Sequence, residues 1–312
     1  MENDLQTTLW FTGARAAQFA SCLLIFGVCV FDRVVIDRRV SAETFRWWRK
    51  MSAWLIWPAL VIAGLSGIVW FVLVAMAMSD SPLKEAMHLR ILRLVLGHTQ
   101  FGHVWRLRVF IWIAVVLVTA AIHYKSKFAT RSPSIWLLTI LGAALLGSLA
   151  WSGHGRDGNS PELHLMADVV HLTAAAAWPT GLLPFSLILF SLRKRADNDD
   201  FADLILITRR FSAMSLISVG LLAGTGIVNC CFLLGSVGNL ISTSYGHVLC
   251  VKIAIFLAMV TLGAVNLLYL KPRLASGKSK IAGKLQMTVG AELIFAIGVV
   301  VVLSLLGTLP PG

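Results

Sequence analysis

The chain has 312 residues, of which 57% are apolar and only 13% charged. A soluble globular domain is about half apolar and about a quarter charged. Disorder, a collagen-like chain and a disulfide-stapled secreted module are therefore excluded, a compact soluble enzyme is strongly disfavoured, and a polytopic helical membrane protein remains. The net charge is +12, but the basic residues sit in short patches between apolar runs. That pattern reads as membrane topology, with no nucleic-acid role.

Apolar runs long enough to cross a bilayer, about 20 residues each, are predicted near 8–31, 52–78, 104–123, 134–152, 164–191, 211–233, 247–270 and 287–308. They are longer than strands and do not alternate, which argues for helices over a barrel. An acidic tail with Glu2 and Asp4, not a basic n-region, precedes the first run. It is read as a retained span, not a cleaved signal. The first connection carries Arg33, Arg38, Arg39, Arg46, Arg49 and Lys50. In the second, residues 82–98 are amphipathic but too charged to span, with Leu83, Met87 and Leu94 near one face. An interfacial helix on the outer surface is expected there. Three further connections are basic: Lys125, Lys127 and Arg131; Arg193, Lys194, Arg195, Arg209 and Arg210; and Lys271, Arg273, Lys278, Lys280 and Lys284. The positive-inside rule makes the four basic connections cytoplasmic and puts both termini outside, in a periplasm or its equivalent.

The two halves resemble each other. Arg49 to Ala53 matches Arg209 to Ala213, Ser66-Gly67-Ile68-Val69 matches Thr225-Gly226-Ile227-Val228, and Phe101-Gly102-His103 matches Tyr245-Gly246-His247. Each of the last pair is followed by a cation at the same offset, Arg108 and Lys252. The expected architecture is all-α: eight transmembrane helices in two parallel four-helix repeats, residues 1–152 and 153–312, with the interfacial helix at 82–98 as an insertion in the first. On this alignment Arg15 and Gln18 correspond to Asp168 and His171. The second half has an acid and a histidine where the first has a cation and an amide.

Seven of the eight histidines fall on the outer side: His88, His98, His103, His154, His164, His171 and His247, with His123 the exception. Histidine is the commonest side-chain metal ligand, so a cluster at one mouth suits metal collection. The tightest set is His164, Asp168 and His171, whose spacing i, i+4, i+7 defines one helical stripe. An ionisable group at membrane depth is costly and functional by default. The bland alternative is an interhelical hydrogen bond to Arg15 or Lys252. The Ala174–Ala177 run lets another helix approach closely. His154, at the end of the preceding span, could converge on the stripe. For His103 and His247, capping competes evenly with ligation. Arg15, Arg108 and Lys252 are expected to be structural ion-pair partners. Soft donors also lie outside: Met76, Met78, Met87, Met166, Cys230, Cys231 and Cys250. Thiolate and thioether favour Cu(I); taken singly the methionines read first as core filling, and Cys230 or Cys231 could pair with Cys250 in an oxidising compartment. Glu292 and Asn266 lie in the inner halves of spans and could extend a polar path.

These residues resemble the copper-resistance D family of bacterial inner-membrane proteins. The resemblance rests on Thr99-x-Phe101-Gly102 with Trp105 and Arg108; Ser152-Gly153-His154; Asp168-x-x-His171 followed by an Ala-rich helix, Trp178 and Gly181-Leu182-Leu183; Arg210-Phe211-Ser212; Thr225-Gly226; and Tyr245-Gly246 with Lys252. It implies copper, as Cu(I) or Cu(II), moving from periplasm toward cytoplasm. It also implies a small periplasmic partner of the CopC type, separate because this chain carries no fused copper-binding domain, and His154, Asp168 and His171 as functional positions. Pro179 stands where the family commonly has glycine and is expected to kink the fifth span.

The chain has no P-loop, GxSxG, HExxH or glycine-rich nucleotide turn, so no catalytic residue is assigned and no enzyme is expected. Copper transport across the inner membrane is the first reading. A haem b electron carrier with paired histidines, and a copper-delivery factor that does not transport, are the alternatives.

Overall fold

The computed structural model describes residues 2–124, 133–152, 161–195, 198–234, 238–274, 279–307 and 309. Among them there is no strand. In chain order the helices are α1 (Glu2–Val30), α2 (Ala42–Ser79), α3 (Leu83–Ala86), α4 (Leu89–His98), α5 (Gln100–Tyr124), α6 (Pro133–Gly147), α7 (Pro161–Ala177), α8 (Leu182–Arg195), α9 (Asn198–Leu234), α10 (Asn239–Ser242), α11 (Ser244–Val265), α12 (Lys271–Leu274) and α13 (Ser279–Leu306). π-helical turns follow α1 at Phe31–Val35 and α11 at Asn266–Leu270.

Among the described residues, seven helical stretches are long and apolar enough to cross a membrane: Thr8–Val35, Ala42–Ser79, Gln100–Tyr124, Glu162–Arg195, Asp200–Leu234, Ser244–Leu274 and Lys280–Leu306. The fourth expected span, 134–152, is α6, a shorter apolar helix of 15 residues followed by a 3-10 turn at Ala150–Ser152. It falls short of the roughly 20 residues a crossing needs. The fifth span is not one helix. α7 ends at Ala177 and α8 starts at Leu182. The break falls where Pro179 removes a backbone donor and where a Cβ on Gly181 would lie 2.2 Å from the Ala177 carbonyl oxygen.

α1 is the hub, packed against α2, α6, α7 and α13. Its approach to α7 depends on small residues. A Cβ on Gly27 would meet the Ala176 carbonyl oxygen at 2.7 Å, and Ala174 and Ala176 are buried. This is the close packing expected of the alanine run. α2 and α9 have 38 and 37 residues and extend past the apolar spans at the basic end. There Asp203 of α9 accepts from the Ser41 backbone N–H at 3.1 Å and from its hydroxyl at 2.7 Å, while Ser41 caps α2. Arg195 binds Glu43 at 2.7 Å, and Arg210 pairs with Asp37. Hydrogen bonds from Arg39, with its guanidinium and the Arg210 charge, hold the Asp37 carboxyl well below the usual carboxylate range.

The amphipathic segment forms two helices, α3 and α4, broken at Met87 and His88. Val95 and Ala86 face inward. Val95 joins Phe71, Ala75 and the stacked rings of Phe101 and Trp105. Leu83, Met87, Leu89 and Leu94 are exposed, as an outward apolar face requires.

The same local structure opens α5 and α11. Thr99 caps α5 by accepting from the Gly102 N–H at 2.9 Å and donating to the Val95 carbonyl at 2.6 Å. Thr243 caps α11 by accepting from the Gly246 N–H at 3.0 Å and donating to the Asn239 carbonyl at 2.7 Å. A Cβ on Gly102 or Gly246 would run into the preceding short helix, 2.0 Å from the Val95 oxygen or 2.3 Å from that of Asn239. Glycine is required at both turns by this contact.

Candidate functional site

Three side chains of α7 face three of α9, in antiparallel order. His164, Asp168 and His171 meet Phe232, Asn229 and Thr225, and both triplets have the spacing i, i+4, i+7. His164 is 2% exposed and stacks on Phe232 with ring centroids 4.9 Å apart. Neither of its ring nitrogens has a hydrogen-bond partner among the described residues. Its Nε2 lies 3.9 Å from Asp168 Oδ2, inside ion-pair range and outside hydrogen-bond reach. Asp168 Oδ1 accepts from Asn229 Nδ2 at 2.7 Å.

His171 Nδ1 lies 2.9 Å from Thr225 Oγ1. The threonine hydroxyl donates its one proton to the Leu221 carbonyl at 2.6 Å. Its oxygen must therefore accept, and His171 supplies the Nδ1–H. The neutral ring then carries its lone pair on Nε2, the form a metal ligand needs. Lys252 of α11 is within electrostatic reach of Asp168, His171 and Cys230.

The polar side chains between α1 and α2 are of a different kind. Ser66 Oγ lies 2.6 Å from the Ile62 carbonyl oxygen and 2.8 Å from Gln18 Oε1. Arg108 is 4% exposed and lies near the rings of Trp70 and Trp105, at 5.8 and 5.6 Å from their centroids. It interacts with Cys22. Arg15 donates to the Gly307 carbonyl at 3.1 Å. Arg15 thus meets a backbone carbonyl, and Arg108 lies beside aromatic faces. The two terminal guanidinium nitrogens of Arg108 are buried and have no hydrogen-bond partner among the described residues.

The other expected ligands are not gathered on this stripe. His103 is exposed on α5, and His247 Nε2 lies 2.9 Å from the Ile241 carbonyl oxygen. Met166 is 66% exposed. Cys230, Cys231 and Cys250 are free thiols, and Cys250 contacts the Leu240 carbonyl at 3.8 Å. Among the described residues no three of His, Cys, Asp and Glu form a metal-binding group. His154 lies outside the described residues. Sequence reading missed Asn229 and Phe232 as partners of the stripe. The signal was present, because Thr225, Asn229 and Phe232 repeat the spacing of the α7 triplet.

The helical bundle, the apolar spans and the ionisable groups buried between them define a multi-pass membrane protein. Residues 5–165 match the copper resistance protein D-like N-terminal domain, and residues 205–306 match copper resistance protein D. The chain belongs to the copper resistance protein D family. It is similar to copper resistance protein D of Pseudomonas syringae pv. tomato, with 26% identity over 95% of each chain. It is similar to inner membrane protein YebZ of Escherichia coli K12, with 26% identity over 95% of this chain and 97% of the relative. Copper transport protein CutJ of Bacillus subtilis is 26% identical over 70% of this chain, which spans 38% of that longer protein. No solved structure matches.

Proposed function

We propose that the chain handles copper in the bacterial inner membrane, taking the ion at the histidine end of the bundle and passing it toward the basic end, from periplasm to cytoplasm. The observation that carries this reading is the His164, Asp168 and His171 stripe in a chain of this family. Imidazole nitrogen suits copper. The unpartnered ring of His164 and the Nε2 lone pair of His171 offer two nitrogen donors, and Asp168 adds a carboxylate. His154 is proposed as a further donor on its sequence position. His103 and His247 are proposed as outlying donors at the same end, with Met166, Cys230, Cys231 and Cys250 behind them. The proposed frame has eight crossings in two parallel repeats, 1–152 and 153–312, with both termini periplasmic. α6 is its short fourth crossing. A separate periplasmic protein of the CopC type would supply the ion.

The test is an anaerobic Cu(I) titration of the purified protein against a competing chelator, with an absorption spectrum of the same sample. Tight stoichiometric binding without a Soret band is expected. His164→Ala and His171→Ala should each weaken it by about tenfold or more, the loss typical of a lost metal-site contact. Wild-type binding in both variants would remove this site, and a Soret band would put a haem carrier in its place. Copper uptake by proteoliposomes then separates transport from delivery without transport.

A further inference from the structure

A second buried polar centre lies between the basic end and the histidine stripe. Glu292 sits in the apolar run of α13 and is 2% exposed. Its carboxylate accepts from the side-chain amide of Asn266, whose oxygen in turn accepts from the Thr288 hydroxyl. Asn266 is the first residue of the π-helical turn after α11. The Trp178 indole, at the break between α7 and α8, lies against the same carboxylate. Two interrupted helices and a buried acid thus meet at one point. Irregular backbone within a membrane is tolerated where it lines a cavity, and π-turns concentrate at functional sites.

A cavity of about 140 Å³ opens beside them. Its lining includes Glu292, Asn266 and Trp178, together with Thr208, Ser212 and Ser215 of α9. The hydroxyls of Thr208 and Ser215 are buried and have no hydrogen-bond partner among the described residues, and Thr208 is 2% exposed. A space of this size is large enough to admit water, for which the Glu292 carboxylate and the Asn266 side-chain amide are suitable partners.

Among the described residues, no Lys, Arg, His or second carboxylate lines the cavity. The ionisable groups on the elements packed against α13 have other positions. Arg193 of α8 engages Gln286, Arg15 of α1 binds Gly307, Asp32 of the π-helical turn after α1 accepts from Trp48, and Arg273 of α12 stacks on Tyr269. Cys22 and Cys29 of α1, Lys252 of α11, Lys271 of α12, and Lys280 and Lys284 of α13 are also outside the cavity lining. A lone carboxylate at this depth, with only neutral donors around it, is expensive as an anion. We propose that Glu292 is a proton-binding site, whose carboxyl exchanges a proton with water in this cavity and supplies a step of proton transfer on the basic side of the membrane.

The proposal does not rest on the copper site and is tested apart from it. Dicyclohexylcarbodiimide, an apolar reagent that attacks protonated carboxyls in membranes, is applied to the full-length protein in detergent across a pH series. Adducts are then mapped by peptide mass. A Glu292 adduct is expected, absent from Glu292→Gln, with yield falling about tenfold per pH unit above the carboxyl midpoint. Exposed Glu43 serves as the reference carboxyl. Size-exclusion profiles of Glu292→Gln and Glu292→Asp establish that the variants fold, and Glu292→Asp should restore labelling. No adduct at any pH, or labelling independent of pH, would overturn the proposal. So would protection by Cu(I) or sodium ion at constant pH, which would make the occupant a metal cation. Copper titration of Glu292→Gln should match wild type, so that failure of either site is read separately from failure of the other.

Discussion

Thr225 and Asn229 are the residues that set the chemistry of the α7 stripe without belonging to it. Thr225 fixes which His171 nitrogen holds the proton, because its own proton is committed to the Leu221 carbonyl. Thr225→Val keeps the shape and removes the acceptor. The Nδ1–H then loses its partner, at a cost of about 1–3 kcal/mol, and the imidazole is free to turn or change tautomer. Supporting contacts of this kind are worth roughly 10–100-fold in metal affinity. Cu(I) affinity of Thr225→Val should therefore fall by about tenfold while the protein stays folded, measured by chelator competition. Thr225→Ser, which keeps the hydroxyl, should restore most of it. Equal affinity in Thr225→Val and wild type would show that His171 does not ligate through Nε2.

At the scale of helices, two contacts decide how the elements sit. One is the Gly27 approach to Ala176, which allows α1 to pack directly on α7. Gly27→Val forces the two helices apart and should lower thermal stability in detergent by about 1–3 kcal/mol, the usual cost of overpacking. The other is the tie of Asp37 to Arg39 and Arg210 across the first basic connection. Because the folded carboxyl titrates below its unfolded value, its contribution is complete above the ordinary range near pH ~4 and is lost as acid protonates the folded group. Asp37→Asn should thus melt below wild type at neutral pH, and the difference should close on acidification below that range. A difference that persists unchanged at low pH would show that the lost contacts do not depend on the charge. The alanine run and Pro179 announced the α1–α7 contact and the α7–α8 break, since small residues and a missing N–H act locally. The π-turn at Asn266 and the shortness of α6 were not legible. Hydropathy averages over a window, and nothing in such an average marks a register shift or a helix that stops early. The α7 triplet was legible because ionisable residues are rare in apolar runs. Its α9 partners were not, because Asn229 and Phe232 look ordinary one at a time and acquire meaning only when the antiparallel register is known.

For the whole molecule, the question is which end faces which compartment. Among the described residues, the connection after α1 meets Arg195 and Arg210 at one end of the bundle and the His164 and His171 stripe lies toward the other, so charge topology and the proposed ligand end make one joint statement. Arg38 and Ser242 are exposed residues in connections at opposite ends. Arg38→Cys and Ser242→Cys place a thiol in each, on a background where Cys231, the one exposed native cysteine among the described residues, is replaced by serine. A membrane-impermeant maleimide added to intact spheroplasts should label Ser242→Cys at once and Arg38→Cys only after lysis. The reverse pattern would turn the molecule over. The histidine stripe proposed for copper would then face the cytoplasm, the Glu292 cavity would lie toward the outside, and any transport would have to start from the other compartment.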